Sequence, residues 1–350
     1  MILDPPPALR SSPEELALRW VPGEGPVVVR PLVCGLVNES YRVVRGGRTY
    51  SLRVSADQAT LRERDWECRV LACVSAAGLA PKLECCAPMP GILVLEWVSG
   101  RAWTPAETRR PARIRAMAAL LRRVHALPIT QPARVKDPAA WIADYGAALT
   151  RLAAASAPVP PGGPPRRIDS PGADAAGADA PGGDAAGAAD AAGADVPGAV
   201  APRSAELRRA ALARLERLAA SGPAPAALCH SDLHRFNVVG GARPVLLDWE
   251  YAHVTDPFWD LAGWIANNDW EDRCAMKLLR GYLKRAPLPQ ETARLELLVW
   301  LYDYVCLQWS ELQARQRSGA ADAALVVRAG QLAARIGDVP GGRASRVAAN

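Results

Sequence analysis

Lysine is scarce in this chain. Lys82, Lys136, Lys277 and Lys284 are the only four among 350 residues, so nearly all of the basic charge is arginine. Those arginines form no clustered basic stripe, which excludes nucleic acid as the expected partner. No stretch approaches the ~18 consecutive apolar residues of a membrane-spanning helix, so no membrane partner is expected. The opening segment MILDPPPALRSSPEELALRW lacks a cationic start followed by an apolar run, and no signal peptide is expected from it. The eight cysteines contain no C-x-x-C pair and fit no zinc spacing. They are expected to be reduced, mostly buried thiols of a cytoplasmic protein.

What is present is ordinary for a globular chain: 50% apolar and 22% charged residues, with a net charge of +6. The stretch Ser170–Pro202 holds five aspartates and no Lys or Arg, so the remainder is more basic still and suits anionic partners such as nucleotides. From residue 27 to 54, the runs VVVRPLV, ESYRVV and TYSLRVS read as strands, with Gly46-Gly47 marking a hairpin. Ala59–Ala77 has helical spacing, with Leu61, Trp66, Val70, Leu71 and Val74 on one face and Gly78 ending it. Gly91–Val98 is a further strand.

Helical pattern then dominates, at Ala112–Ala126, Trp141–Ala155, Ser204–Ala220, Leu261–Asn268, Arg273–Arg285 and Glu291–Arg315. The expected organisation is an N-terminal lobe over 1–98 and the start of a C-terminal lobe over 99–157. An Ala/Gly/Asp/Pro-rich insertion follows over 158–203, then the main part of the C-terminal lobe over 204–338 and a tail over 339–350. The insertion and tail have too few large apolar side chains to offset the entropy of ordering, and are expected to be disordered. The fold class is α+β, with a small antiparallel sheet plus a helix followed by a larger, mostly helical part.

The chemistry concentrates in His230-Ser231-Asp232-Leu233-His234-Arg235-Phe236-Asn237 and in PVLLDWEYA from Pro244. Phosphoryl transfer asks a protein for metal to neutralise phosphates and a carboxylate to orient the attacking hydroxyl. Asp232 is suited to accept the substrate proton. Asn237, five residues on, offers a hard oxygen to Mg²⁺, and Asp248 ends an apolar strand as the main metal ligand.

This H-x-D-x-x-x-x-N run, with a strand and an Asp behind it, resembles the catalytic and metal loops of the bilobal protein-kinase-like fold. HSDLHRFN…LLDWEYA most resembles the choline/ethanolamine kinase, thiamine kinase and aminoglycoside phosphotransferase group, and DPFWDLAGW, with Asp256 and Asp260, extends the match. The resemblance implies ATP and Mg²⁺ as cofactors. It also implies a nucleotide loop at VCGLVNESY, where Gly35, Asn38 and Tyr41 fit while Cys34 and Val37 depart from the usual Gly and Thr. Arg53 falls where protein kinases carry a phosphate-bridging Lys, as in choline-kinase-like relatives. A helix carboxylate is expected to orient it. Glu67 fits the family spacing to Leu71 and Gly78-Leu79-Ala80-Pro81-Lys82, with Glu63 as the alternative. Glu96-Trp97-Val98 resembles the hinge, so Glu96 and Val98 are expected on the nucleotide.

Rings follow the metal Asp, and cationic head groups are well held by ring faces. Trp264, Trp300, Tyr304 and Trp309, with Tyr251 and the carboxylate of Glu250, are the expected substrate contacts, although each ring is also suited to core packing. The reading is an ATP-dependent kinase of a small cationic alcohol, working as a monomer or homodimer. An antibiotic kinase and a catalytically silent nucleotide-binding pseudokinase are its alternatives.

Overall fold

A computed structural model describes residues 11–32, 38–55, 60–129, 131–156, 200–241, 243–316 and 320–337. The expected glycine of the nucleotide loop, Gly35, lies outside the described residues, as do Cys34, the tail 339–350 and nearly all of the 158–203 insertion. The chain divides into two compact units. One comprises Met1–Arg134, Ala227–His230 and His234–Val254; the other comprises Val135–Ala226, Ser231–Leu233 and Thr255–Asn350.

The first unit is built on an antiparallel sheet. Its strands are β1 (Val28–Leu32), β2 (Glu39–Arg45), β3 (Arg48–Val54), β4 (Leu83–Ala87) and β5 (Ile92–Glu96), in the order β1-β2-β3-β5-β4. Gly46 and Gly47 both take positive φ, at 55° and 73°, and close the two-residue β2–β3 turn as the sequence predicts. Along β3 the pleat sends Tyr50, Leu52 and Val54 into a core shared with Leu16 and Ala17 of α1 (Pro13–Trp20). The alternate position, Arg53, therefore points to the opposite face.

Helix α2 (Leu61–Ala76) begins at Thr60, which forms a reciprocal capping box with Glu63. It buries Trp66, Glu67, Val70, Leu71 and Val74. Leu61, expected on that stripe, is instead exposed: it precedes Trp66 by five residues, which at helical pitch places it on another face. Strand β4 was not legible, because LECCA shows no alternation, and a register shift between Leu83 and Cys85 interrupts its pairing. The expectation of reduced thiols is corrected at one pair. Packing of α2 beside the sheet brings Cys68 and Cys86 into a disulfide, with Cα atoms 5.7 Å apart. Their separation of 18 residues carries no motif that announces it. Two further helices, α3 (Pro105–Thr108) and α4 (Pro111–His125), complete this stretch.

Four short strands follow, in the same unit except for Thr255. They are β6 (Ala227–Cys229), which pairs with β9 (His253–Thr255), and the ribbon of β7 (Val238–Val239) with β8 (Val245–Leu246).

The second unit is helical. It contains α5 (Pro138–Ser156), α6 (Val200–Ala220), α7 (Phe258–Asn267), α8 (Asp272–Leu283), α9 (Pro289–Gln316) and α10 (Ala320–Gly337). Helix α9 is its axis, buried along most of Leu295–Leu312, with α5, α6, α7 and α10 packed around it. Trp141 of α5 stacks on Trp259 of α7 at 5.0 Å, and Tyr302 of α9 lies 5.0 Å from Trp259 on a tilted plane. No described helix is long and apolar enough to cross a membrane.

Gly263 shows how tightly α7 meets α9. A Cβ there would stand 2.8 Å from Cε2 of the fully buried Tyr302 ring. Overpacking of this kind costs ~1–3 kcal/mol. Gly263→Ala is therefore expected to lower the unfolding free energy by about that amount, measured by urea denaturation.

Candidate active site

Arg53 is the centre of the first unit's polar cluster. Its Nη2 donates to Glu67, and its Nη1 donates to Asp248 Oδ1 at 3.1 Å and lies 3.7 Å from Glu250 Oε2. Burial alone would pull the guanidinium's pKa down, but the charges of Glu67, Glu250 and Asp248 outweigh it and hold the pKa above its usual value. Glu67 sits almost wholly inside the protein, and a buried carboxylate is tolerated only when paired. The sequence alternatives are thus separated: Glu67 meets Arg53, while Glu63 serves the α2 cap and an ion pair with Arg134 at 3.0 Å.

The three carboxylates around Arg53 differ in access. The side chain of Asp248 is 41% exposed, against 8% for Glu67 and 25% for Glu250. Asp248 also takes a left-handed backbone, φ 59°, which a non-glycine residue adopts at a cost of ~1–2 kcal/mol. Burial and the neighbouring Asp248 charge push the Glu250 carboxyl well above the usual range, although Arg53 opposes the shift. Glu250 accepts from Asn38 Nδ2 at 2.7 Å.

Asn237 ends a single 3₁₀ turn, Arg235–Asn237. Its carbonyl accepts from Leu247 N at 2.9 Å, so the β7–β8 ribbon holds Asn237 beside the residue that precedes Asp248. His230 Nε2 contacts the Leu247 carbonyl at 2.7 Å. A carbonyl only accepts, so that nitrogen carries the proton and the imidazole acts as a brace. The two residues expected to share a metal are therefore strapped to one strand by backbone bonds. Both offer oxygen, the donor that Mg²⁺ prefers.

The second unit holds Asp232, which is 2% exposed. Ser231 before it is also left-handed, φ 67°, and its N–H donates to Asp260 Oδ1 at 2.8 Å. Leu233 after it is fixed through its carbonyl, which accepts from Asn267 Nδ2 at 2.9 Å; the same amide donates to Tyr302 Oη at 3.1 Å. Burial raises the Tyr302 hydroxyl well above its ordinary pKa, and the Asp232 charge adds to the shift. Positive φ in non-glycine residues clusters at working sites. Two of the four described here flank or carry the expected chemistry. Asn267 had no sequence signal; only the packing of α7 on α9 reveals it.

Residues 28–298 match the phosphotransferase enzyme family. The chain belongs to that family. No curated protein sequence matches it. Its fold is kinase-like, shared with a choline/ethanolamine kinase family protein from Mesorhizobium loti (20% identity, 93% of each chain covered, TM-score 0.64). An ethanolamine kinase from Plasmodium vivax is also similar (14% identity, 94% of this chain and 88% of that one, TM-score 0.66). So is the spectinomycin phosphotransferase APH(9)-Ia (12% identity, 94% of each chain, TM-score 0.57).

In this phosphotransferase the remaining predicted residues are placed as follows. The Glu96 N–H is spent on Lys82 O at 2.8 Å and its carboxylate meets Arg48 at 3.3 Å; Val98 lies just beyond β5, half-buried. The Tyr251 carbonyl accepts from His253 Nδ1 at 2.6 Å. Trp264 is fully buried, edge-on to Trp270 at 6.0 Å. Trp300 stacks on Tyr304 at 5.6 Å and lies under the Arg214 guanidinium at 4.0 Å, and Trp309 lies 5.9 Å from Arg328. Trp300 also lines a cavity of about 330 Å³ within the helical unit, together with Trp270, Met276, Asp272 and Glu296. Burial and the charge of Asp272 raise the Glu296 carboxyl.

Hydrogen bonds to charged groups contribute ~1.5–3 kcal/mol. Asp260→Ala removes one from the backbone beside Asp232. It is expected to lower the unfolding free energy by about that amount and turnover by at least tenfold, measured by denaturant titration and steady-state kinetics on the same preparation.

Proposed function

We propose that this phosphotransferase is an ATP-dependent, Mg²⁺-assisted kinase that phosphorylates the hydroxyl of a small cationic alcohol, choline/ethanolamine-like or thiamine-like. The observation that carries the reading is Arg53, buried and forked between Glu67 and Asp248. An arginine so held presents a fixed cationic group for polyphosphate, and the more exposed Asp248 carboxylate lies beside it. Asp248 and Asn237 would hold Mg²⁺, which supplies neutralisation of phosphate charge when bound. Asp232 orients the acceptor hydroxyl and takes its proton, with the flanking backbone held still by Asp260 and Asn267. Fixing a nucleophile's partner in this way lowers the barrier through orientation rather than covalent chemistry.

Support for a cationic acceptor comes from the helical unit's cavity. Its wall carries Trp270 and Trp300, with Asp272 and Glu296 set beside Arg280, and with Arg335 neutralised by its pair Asp303. Such a lining suits an organic cation with an apolar body. Nucleotide use is supported by the spectinomycin phosphotransferase neighbour, whose structure is described as a complex with ADP and its antibiotic. We place the enzyme in the cytoplasm, where ATP is supplied.

Asp232→Ala is expected to lower turnover by ~10²–10⁴-fold, the range for loss of a general base, while ATP affinity stays within about twofold of the wild type. An ATP-depletion screen with choline, ethanolamine, thiamine, homoserine and aminoglycosides identifies the acceptor. A variant that keeps most of its activity, or a wild type that consumes no ATP with any of these alcohols, overturns the reading. Turnover only with aminoglycosides moves the protein to the antibiotic kinases.

A further inference from the structure

We propose that Glu250 is a positioning residue of the nucleotide side: it ties the head of β2 to the metal-strand turn through Asn38. The proposal rests on the kinase reading and deepens it. Glu250 was expected at the acceptor from its place two residues after Asp248, and its contacts point elsewhere.

Arg53 does not account for Glu250. The guanidinium's hydrogen bonds go to Glu67 and Asp248, and its nearest approach to Glu250 is 3.7 Å, an ion-pair distance without a hydrogen bond. The hydrogen bond that Glu250 accepts comes from Asn38, at 2.7 Å and across 212 residues of sequence. Asn38 immediately precedes β2. The residues after it are in register with the strand that carries Arg53, Glu39 with Val54 and Ser40 with Arg53. Holding Asn38 therefore holds the end of the β2–β3 pair from which Arg53 projects.

The other end of the tie is equally well anchored. Asp248 takes the left-handed conformation that starts the turn, and the turn closes through Ala252 N to Trp249 O at 3.0 Å. The Trp249 ring is fully buried, and Trp66 Nε1 of α2 donates to Ala252 O at 2.6 Å. Glu250 projects from the middle of this pinned turn. Its carboxylate thus links the head of the β2–β3 pair to the turn after β8, beside the Arg53–Asp248 contact.

The rival role for a second carboxylate beside Asp248 is direct metal ligation, and conservative replacement separates the two. Glutamine keeps an oxygen that accepts from Asn38 but loses the charge a cation prefers. Calorimetric titration of full-length protein with ATP·Mg²⁺, alongside steady-state kinetics, is the test. Glu250→Ala and Asn38→Ala are each expected to weaken ATP binding about five- to tenfold and to raise KM for ATP equally, leaving KM for the acceptor unchanged. The double variant is expected to be no weaker than either single one, because both remove the same link. Glu250→Gln is expected to restore binding to within about twofold. Unchanged affinity in Glu250→Ala, additive losses in the double variant, or a glutamine variant as weak as the alanine one overturns the proposal. These results leave the kinase reading standing, whereas a wild type that neither binds nor consumes ATP overturns both.

Discussion

A single buried guanidinium organises the first unit. Arg53 reaches a face of the sheet opposite its apolar core, where Glu67, Asp248 and Glu250 gather around it. None of these carboxylates is comfortable alone. Glu67 is almost wholly buried, where a carboxylate calls for a partner, and burial together with the Asp248 charge pushes the Glu250 carboxyl up. Arginine answers this with a planar fork that serves two acceptors at once, which a lysine ammonium cannot reproduce. The helix α2, the strand β3 and the turn after β8 are therefore joined by one side chain as well as by packing.

The helical unit solves a similar problem around Asp232 by other means. Backbone groups on both sides of Asp232 are bonded to side chains from α7, Ser231 to Asp260 and Leu233 to Asn267. Those helix positions are fixed in turn by the aromatic stack of Trp141, Trp259 and Tyr302. Rings expected from the sequence to wait for a ligand are largely occupied with this chain's own residues. Trp300 is the one expected ring found on the cavity wall, and its other contacts are Tyr304, Arg214 and the Ile336 carbonyl.

How much of this was legible depends on the range of the contact. The β2–β3 hairpin was readable because two glycines meet a turn that demands positive φ. The family was readable from the His230–Asn237 loop, whose residue types and spacing carry the resemblance that the match over residues 28–298 bears out. Glu67 was separable from Glu63 only by pattern in the sequence, whereas the structure gives the reason, since Glu63 is consumed by the helix cap. The link from Asn38 to Glu250, the Asn267 brace, the Cys68–Cys86 disulfide and the pairing of Asp303 with Arg335 were not readable. Each joins residues whose nearness is created by the fold, with no local period or spacing to betray it. Strand β4 escaped for a different reason, since its edge position and shifted register remove the alternation by which strands are recognised.

The proposed role of Arg53 as the fixed point for nucleotide phosphates is tested most directly by calorimetric titration of ATP·Mg²⁺ into the wild type and Arg53→Lys, a change that keeps the charge and removes the fork. At least tenfold weaker binding is expected in the lysine variant. Equal affinity in the two proteins would rule that role out.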